Sequence, residues 1–143
     1  MTAATIAHLL GGSKVLRHSI RSELDFVRLV QAGLPLSVVD AVIEQGLLTS
    51  SEVERLIIPR RTLAHRKKKK QSLSKEESDR LARVARVMAL AEETLQSKEK
   101  AAIWLRRSNR ALRAARPLDL LETDGGAQVV EAILGRVSHG VFS

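Results

Sequence analysis

The chain has 143 residues, with 24 Lys and Arg against 16 Asp and Glu, a net charge of +8, and no cysteine. That length suits one domain or two small lobes. The missing cysteine excludes disulfides, thiolate catalysis and cysteine metal sites, and it fits a reducing cytoplasm.

Aromatic residues make up 2% of the chain, namely Phe26, Trp104 and Phe142. The core must therefore come from Leu, Val, Ile and Ala, which suits packed helices better than a sandwich or barrel. No stretch approaches the roughly 20 apolar residues that span a bilayer. The N-terminus also lacks the positively charged start of a signal peptide. The expectation is a soluble, cytoplasmic, all-α protein with no membrane partner.

Residues 1–20 hold few apolar anchors and contain Gly11-Gly12, so they read as an N-terminal arm, partly ordered at most. The next region, 21–72, opens with an amphipathic helix over Ser22–Ala32, stopped by Gly33. Pro35 suits the first turn of a second helix, with Leu36, Val39, Val42 and Ile43 at helical spacing and Gly46 at its end. Thr49 and Glu52 have capping-box spacing, as do Ser51 and Glu54, and a short helix with Val53, Leu56 and Ile57 follows. Ile58-Pro59 breaks the pattern, because the residue before a proline is pushed out of the helical region. Another helix starts at Pro59 or Arg60 and runs into the lysines, with Leu63 and Ala64 as its inward pair.

The region 73–143 begins with a third capping box, Ser74 and Glu77. A long helix follows with Leu81, Val84, Met88, Ala91 and Leu95 spaced 3, 4, 3, 4. That stripe either packs within its own chain or forms a dimer seam through Leu81, Val84, Met88 and Leu95. A helix over Lys98–Arg107 carries Ile103, Trp104 and Leu105. Ser108–Arg116 reads as a basic loop, solvated or offering a second nucleic-acid surface. Pro117–Leu121 suggests a short helical turn, and a last helix uses Val129, Val130, Ile133 and Leu134 with Gly135 near its end.

The charge is concentrated. Arg60, Arg61, Arg66 and Lys67, Lys68, Lys69 and Lys70 place seven cations in eleven residues with no acid, while the rest of the chain holds 17 basic against 16 acidic residues. Such a run marks a polyanion-binding surface, a solvated loop or a targeting signal. The capped helix before it favours a helix-turn-helix, whose second helix lies in the major groove. Arg60 and Arg61 then stand where side chains reach base edges, and Thr62 can meet a phosphate or a thymine methyl. His65 and Arg66 come about one turn later, and Lys67–Lys70 suit phosphates, since a lysine acts as a point charge. The turn departs from many such motifs in having no glycine.

No catalytic constellation emerges. His8, His18, His65 and His139 are scattered without metal-ligand spacing. The chain is read as a non-enzyme with no metal and no cofactor.

The stretch LSKEESDRLARVARVMALAEETL, then KAAIWLRRSNRAL, then RPLDLLETDGGAQVVEAILGRVSHGVFS resembles the Xre/MbcA/ParS type of antitoxin, and PRRTLAHRKK in the first half fits the same family. The resemblance runs from about Leu16 to Ser143. It implies an Xre/Cro-like helix-turn-helix bundle followed by a small helical toxin-binding and dimerisation domain. It also implies a bacterial antitoxin that binds a RES-domain, NAD-consuming toxin, covers its active site and represses the shared operon as a dimer on operator DNA. The implied toxin-binding residues are Trp104, Arg136, His139, Gly140, Val141, Phe142 and Ser143. Phe142, a rare aromatic, suits an anchor in a partner's cleft, or the tail is simply a frayed end. The chain departs from the family pattern near Ser108, Arg110, Arg113 and Ala114, where members often carry two prolines and a Gly-Gly pair. Two other readings stay open: a helix-turn-helix regulator without a toxin, and a basic protein that coats nucleic acid without sequence choice.

Overall fold

The computed structural model describes residues 2–138 and contains helices, turns and no strand among them. It divides into two compact units, Thr2–Ala82 and the chain from Arg83 onward. The helices of the first unit are α1 (Ala3–Leu9), α2 (Gly12–Leu16), α3 (Glu23–Ala32), α4 (Ser37–Glu44), α5 (Ser50–Leu56) and α6 (Arg60–Lys69). The long α7 (Lys75–Leu95) belongs to both, because the division falls inside it between Ala82 and Arg83. The second unit adds α8 (Lys98–Arg106), 3-10 segments at Arg110–Leu112 and Pro117–Glu122, and α9 (Asp124–Ser138).

The N-terminal segment is not an arm. Ala3, Ile6, Ala7 and Leu10 recur at helical spacing and are all buried. Thr2 caps α1, its hydroxyl accepting from the Thr5 N–H at 3.2 Å. The Ala3 N–H donates to Glu23 at 3.0 Å, which ties α1 to the start of α3. Gly11 and Gly12, with φ of 111° and 77°, turn the chain into α2. Two alanines in the buried stripe made its apolar signal faint in the sequence.

Gly33 ends α3 at φ 100°, and an added Cβ would run into the Leu73 carbonyl. That close approach lets the α6–α7 connection dock on the α3–α4 turn. The Leu73 N–H donates to the Leu34 carbonyl at 2.9 Å. The Leu34 N–H in turn donates to the hydroxyl of Ser78, which is fully buried, at 2.8 Å. This hydrogen bond offsets the cost of burying the hydroxyl.

The stripe on α7 faces the chain's own core. Leu81 and Val84 are 0% exposed and Met88 4%, while Leu95 is half-buried. Of the four residues read as a dimer seam, Leu81, Val84 and Met88 are covered within one chain, and Leu95 is partly open.

In the second unit, Leu118 and Leu121 of the Pro117–Glu122 segment are buried, as are Ala127, Val130 and Leu134 of α9 and Leu105 of α8. Gly126 lets α9 start directly against the Leu120 carbonyl, where an added Cβ would collide. α9 also runs through Gly135, expected near its end, to Ser138. Val129 and Ile103, read as core-facing, are 48% and 53% exposed.

The loop between α8 and the second 3-10 segment is built around Asn109. Its carbonyl accepts from Leu112 and Ala114 at 3.0 and 2.9 Å, and its N–H donates to Ala115 at 3.0 Å. Its side-chain oxygen accepts from the Ala111 N–H at 2.9 Å. Arg113 and Ala114 sit at φ 54° and 71°, the left-handed conformation that a Gly-Gly pair would take without strain.

Two substitution experiments check these backbone assignments by urea denaturation. Gly33→Ala should lose about 2 kcal/mol or more, from left-handed strain plus collision, whereas Gly46→Ala, at φ 77° with open space around it, should lose about 1 kcal/mol. Ala114→Gly should gain roughly 0.5 kcal/mol, because relief of left-handed strain exceeds the added freedom of the unfolded chain.

Candidate functional site

The capping box expected at the start of α5 is complete. The Thr49 hydroxyl accepts from the Glu52 N–H at 3.1 Å, and Glu52 accepts from the Thr49 N–H at 2.9 Å. At the other end, the Ile57 carbonyl accepts from Arg80 Nε and Nη2 at 3.0 and 2.8 Å. The turn that follows needs no glycine. Ile57 and Ile58 are buried, and Pro59, at φ −59° and ψ 147°, carries an extended chain into α6. The Leu63 N–H then donates to the Pro59 carbonyl at 2.9 Å.

No residue of α6 is buried. Leu63 is half-buried over a crevice shared with Ile43, Val53 and Ile58. Ala64, expected beside it, is exposed instead. The outer face of the helix consists of Arg61, Ala64, His65 and Lys68, at i, i+3, i+4 and i+7. Lys69 and Lys70 are exposed beyond it, and Thr62 is half-buried. Arg60 lies 3.8 Å from Glu54 and Lys67 lies 3.7 Å from Asp40. These pairs are solvent-exposed and contribute little to stability, so both cations remain available to a ligand.

Arg66 differs from its neighbours. Its Nε and Nη2 donate to the two carboxylate oxygens of Glu77, both at 3.0 Å, and its Nη1 donates to Gln71 at 3.3 Å. Expected to face DNA, it faces the protein. Glu77 is only 5% exposed, and it also completes the capping box of α7. It accepts from the Ser74 N–H at 2.7 Å, while the Ser74 hydroxyl accepts from the Glu77 N–H at 3.1 Å. Burial pushes the carboxyl pKa up, but the hydrogen bonds from Arg66 and Ser74 and the guanidinium charge together hold it below the usual range. The hydrogen bond to Glu77 likewise raises the Arg66 pKa. Past the pin, Lys70 takes a left-handed φ of 55° and closes α6.

In the second unit Trp104 is half-buried on α8, and Arg136 is exposed in the last turn of α9. The other expected toxin contacts, His139, Gly140, Val141, Phe142 and Ser143, lie outside the described residues.

Two family models match this geometry in order. An antitoxin Xre-like helix-turn-helix domain covers residues 25–86, and an antitoxin Xre/MbcA/ParS C-terminal toxin-binding domain covers residues 90–140. The chain is 32% identical over 117 residues to an antitoxin Xre from Photorhabdus laumondii, covering 80% of this chain and 79% of the relative. It is 34% identical over 116 residues to an antitoxin Xre from Yersinia enterocolitica, covering 80% and 78%. An antitoxin Xre from Pseudomonas putida is 37% identical over 97 residues, covering 68% of this chain and 60% of that one.

The chain belongs to the Xre antitoxin family. Within that frame α5, α6 and the Glu77 pin all fall in the helix-turn-helix domain, and Trp104, the Asn109 loop and Arg136 fall in the toxin-binding domain. Helices α1 and α2 precede both matches. Two residues stand differently from their sequence expectation: Ala64, read as inward, lies on the outer face of α6, and Glu77, read as a cap, also binds Arg66. Ala64 was legible in the spacing with Arg61 and Lys68, and Glu77 only as a cap.

The pin gives a pH-dependent test. Because the folded pKa of Glu77 is depressed, its contribution is fully present above the unfolded value of about 4.3 and is lost as pH falls through the folded value. Glu77→Gln should cost about 2–3 kcal/mol near neutral pH, below the usual range for a broken buried pair because Arg66 keeps some water contact. That loss should shrink as the pH drops below about 4. Glu76→Gln, on the exposed side of the same turn, should stay within about 0.5 kcal/mol. Urea midpoints at pH 7 and pH 3.5 measure both.

Proposed function

We propose that this Xre-family antitoxin neutralises a RES-domain, NAD-consuming toxin by covering its active site, and represses its own operon by binding operator DNA as a dimer. The observation that carries this reading is the outer face of α6, Arg61, Ala64, His65 and Lys68, in one chain with a match to a toxin-binding domain.

In this reading α6 enters the major groove. Arg60, Arg61 and Thr62 reach base edges from its first turn, where an arginine bonds guanine O6 and N7 in bidentate fashion. The short Ala64 side chain lets the helix backbone approach the bases. His65 follows one turn on, and Lys67, Lys68, Lys69 and Lys70 hold phosphates. Arg66 contributes by orienting α6 through Glu77 rather than by touching DNA. Trp104 and Arg136, with His139, Gly140, Val141, Phe142 and Ser143, meet the toxin. The dimer surface lies elsewhere than the covered stripe on α7.

Co-expression with a cognate RES-domain toxin should restore growth and give a complex that co-purifies. Absence of both would leave a DNA-binding regulator without a toxin. On operator DNA, about five phosphate contacts should give a log–log salt slope near −4.5. Arg61→Ala should cost about 1–3 kcal/mol on the operator and relax preference at one position, whereas Lys67–Lys70 replaced by Gln should weaken all duplexes alike and flatten the slope. Identical behaviour of the two variants would favour a protein that coats nucleic acid without reading it.

A further inference from the structure

The segment Lys100–Leu118 contains six cations, Lys100, Arg106, Arg107, Arg110, Arg113 and Arg116, and no acid. The helix-turn-helix reading uses none of them. Two of the arginines are tied down within their own unit. Arg116 donates to both oxygens of Asp119 at 2.9 and 3.0 Å, and Arg106 donates to the Ala102 carbonyl at 3.2 Å. The other three, Arg107, Arg110 and Arg113, are exposed and make no side-chain hydrogen bond or ion pair among the described residues.

The loop that carries these three is not slack. Four backbone or side-chain hydrogen bonds to Asn109 fix its path, and it holds Arg113 and Ala114 in left-handed conformations without glycine. Retained strain of this kind points to a shape with a use. A fixed backbone also lowers the entropy lost when a guanidinium engages a partner.

Resting on the toxin-binding reading of this domain, we infer that Arg107, Arg110 and Arg113 form a docking site for a carboxylate-rich patch on the protein partner. The surroundings favour protein over nucleic acid. Ile103, 53% exposed, lies one turn before Arg107, beside the half-buried Trp104. An exposed aliphatic and a tryptophan flanked by arginines have the composition of a protein-interface core. The outer face of α6 carries basic side chains with only an alanine between them. The loop also uses arginine throughout, where the end of α6 uses lysine, and the planar guanidinium fork matches a carboxylate in bidentate fashion.

The test uses the full chain and a cognate RES-domain toxin. Wild type is compared with a triple Arg→Gln variant at 107, 110 and 113 and with the triple Arg→Lys variant. Association and dissociation rates are measured at 50 and 300 mM salt, with operator DNA titrated in parallel. The Gln variant should associate about tenfold more slowly at low salt and lose most of its salt dependence, with DNA affinity within about twofold of wild type. The Lys variant should keep the salt-dependent association and dissociate several-fold faster, because it retains charge without the fork. Rates unchanged in both variants, with a wild-type complex still formed, would overturn the docking site and leave the antitoxin reading standing. A selective loss of DNA affinity would make the loop a nucleic-acid surface and overturn it equally. No complex with wild type would remove both the site and the reading beneath it.

Discussion

The first unit depends on one buried carboxylate. A helix whose outer face consists of Arg61, Ala64, His65 and Lys68 has little apolar surface left for holding itself down, and α6 buries no residue at all. Its cations also repel one another, although those in the last turn gain from the negative end of the helix dipole. Glu77 answers this shortage. It takes both forks of the Arg66 guanidinium and closes the cap of α7 with the same carboxylate. A buried pair of this kind adds little net stability over apolar packing but fixes geometry. Here geometry is the requirement, since a helix that rolled by one residue, about 100°, would carry Leu63 off its crevice and Arg61 off the outer face. One acid thus sets where α7 begins and how α6 is turned.

Local chemistry was the legible part of this chain. Thr49 with Glu52 and Ser74 with Glu77 announce helix starts because a cap needs only residues three apart, and both boxes form. Pro59 marks a break for a reason internal to its own ring. What stayed hidden involves residues distant in sequence. Arg66 meets Glu77 eleven residues on, and Leu34 meets Ser78 after 44. Nothing in the local pattern of RRTLAHRKKKK separates Arg66 from its neighbours. The α7 stripe shows the same limit, since 3, 4 spacing reports that a face is buried and not what buries it. The N-terminal helices failed for a different reason, because Ala3 and Ala7 bury little area and Gly11-Gly12 suggested a tether rather than a turn.

Within each unit arginine serves two opposite ends, holding the unit together or standing free at its surface. Along α7, Arg80 donates to the Ile57 carbonyl, Arg83 to the Leu121 and Glu122 carbonyls, and Arg86 to Glu131. Ile57 closes α5, and Leu121 and Glu122 close a 3-10 segment. These are places where unpaired carbonyls collect and a cation is favoured. Such arginines count toward the net charge yet stabilise their own units.

The same distinction applies to the two basic segments. Arg66 in α6 and Arg116 in the Asn109 loop are each clamped by a carboxylate in bidentate fashion. The Arg66 clamp holds a helix that buries no residue, whereas the Arg116 pair, partly exposed and three residues apart, joins the loop to a segment that already buries Pro117, Leu118 and Leu121. The cations left outside, Arg61 and Lys68 on one segment and Arg107, Arg110 and Arg113 on the other, are then presented from a backbone already fixed. Binding through them orders side chains but not the chain, which keeps the entropic cost of association low. A solvated basic run would have no need of such clamps. The buried clamp under α6 and the hydrogen bonds to Asn109 under the loop are what set these two segments apart from a solvated run of charge.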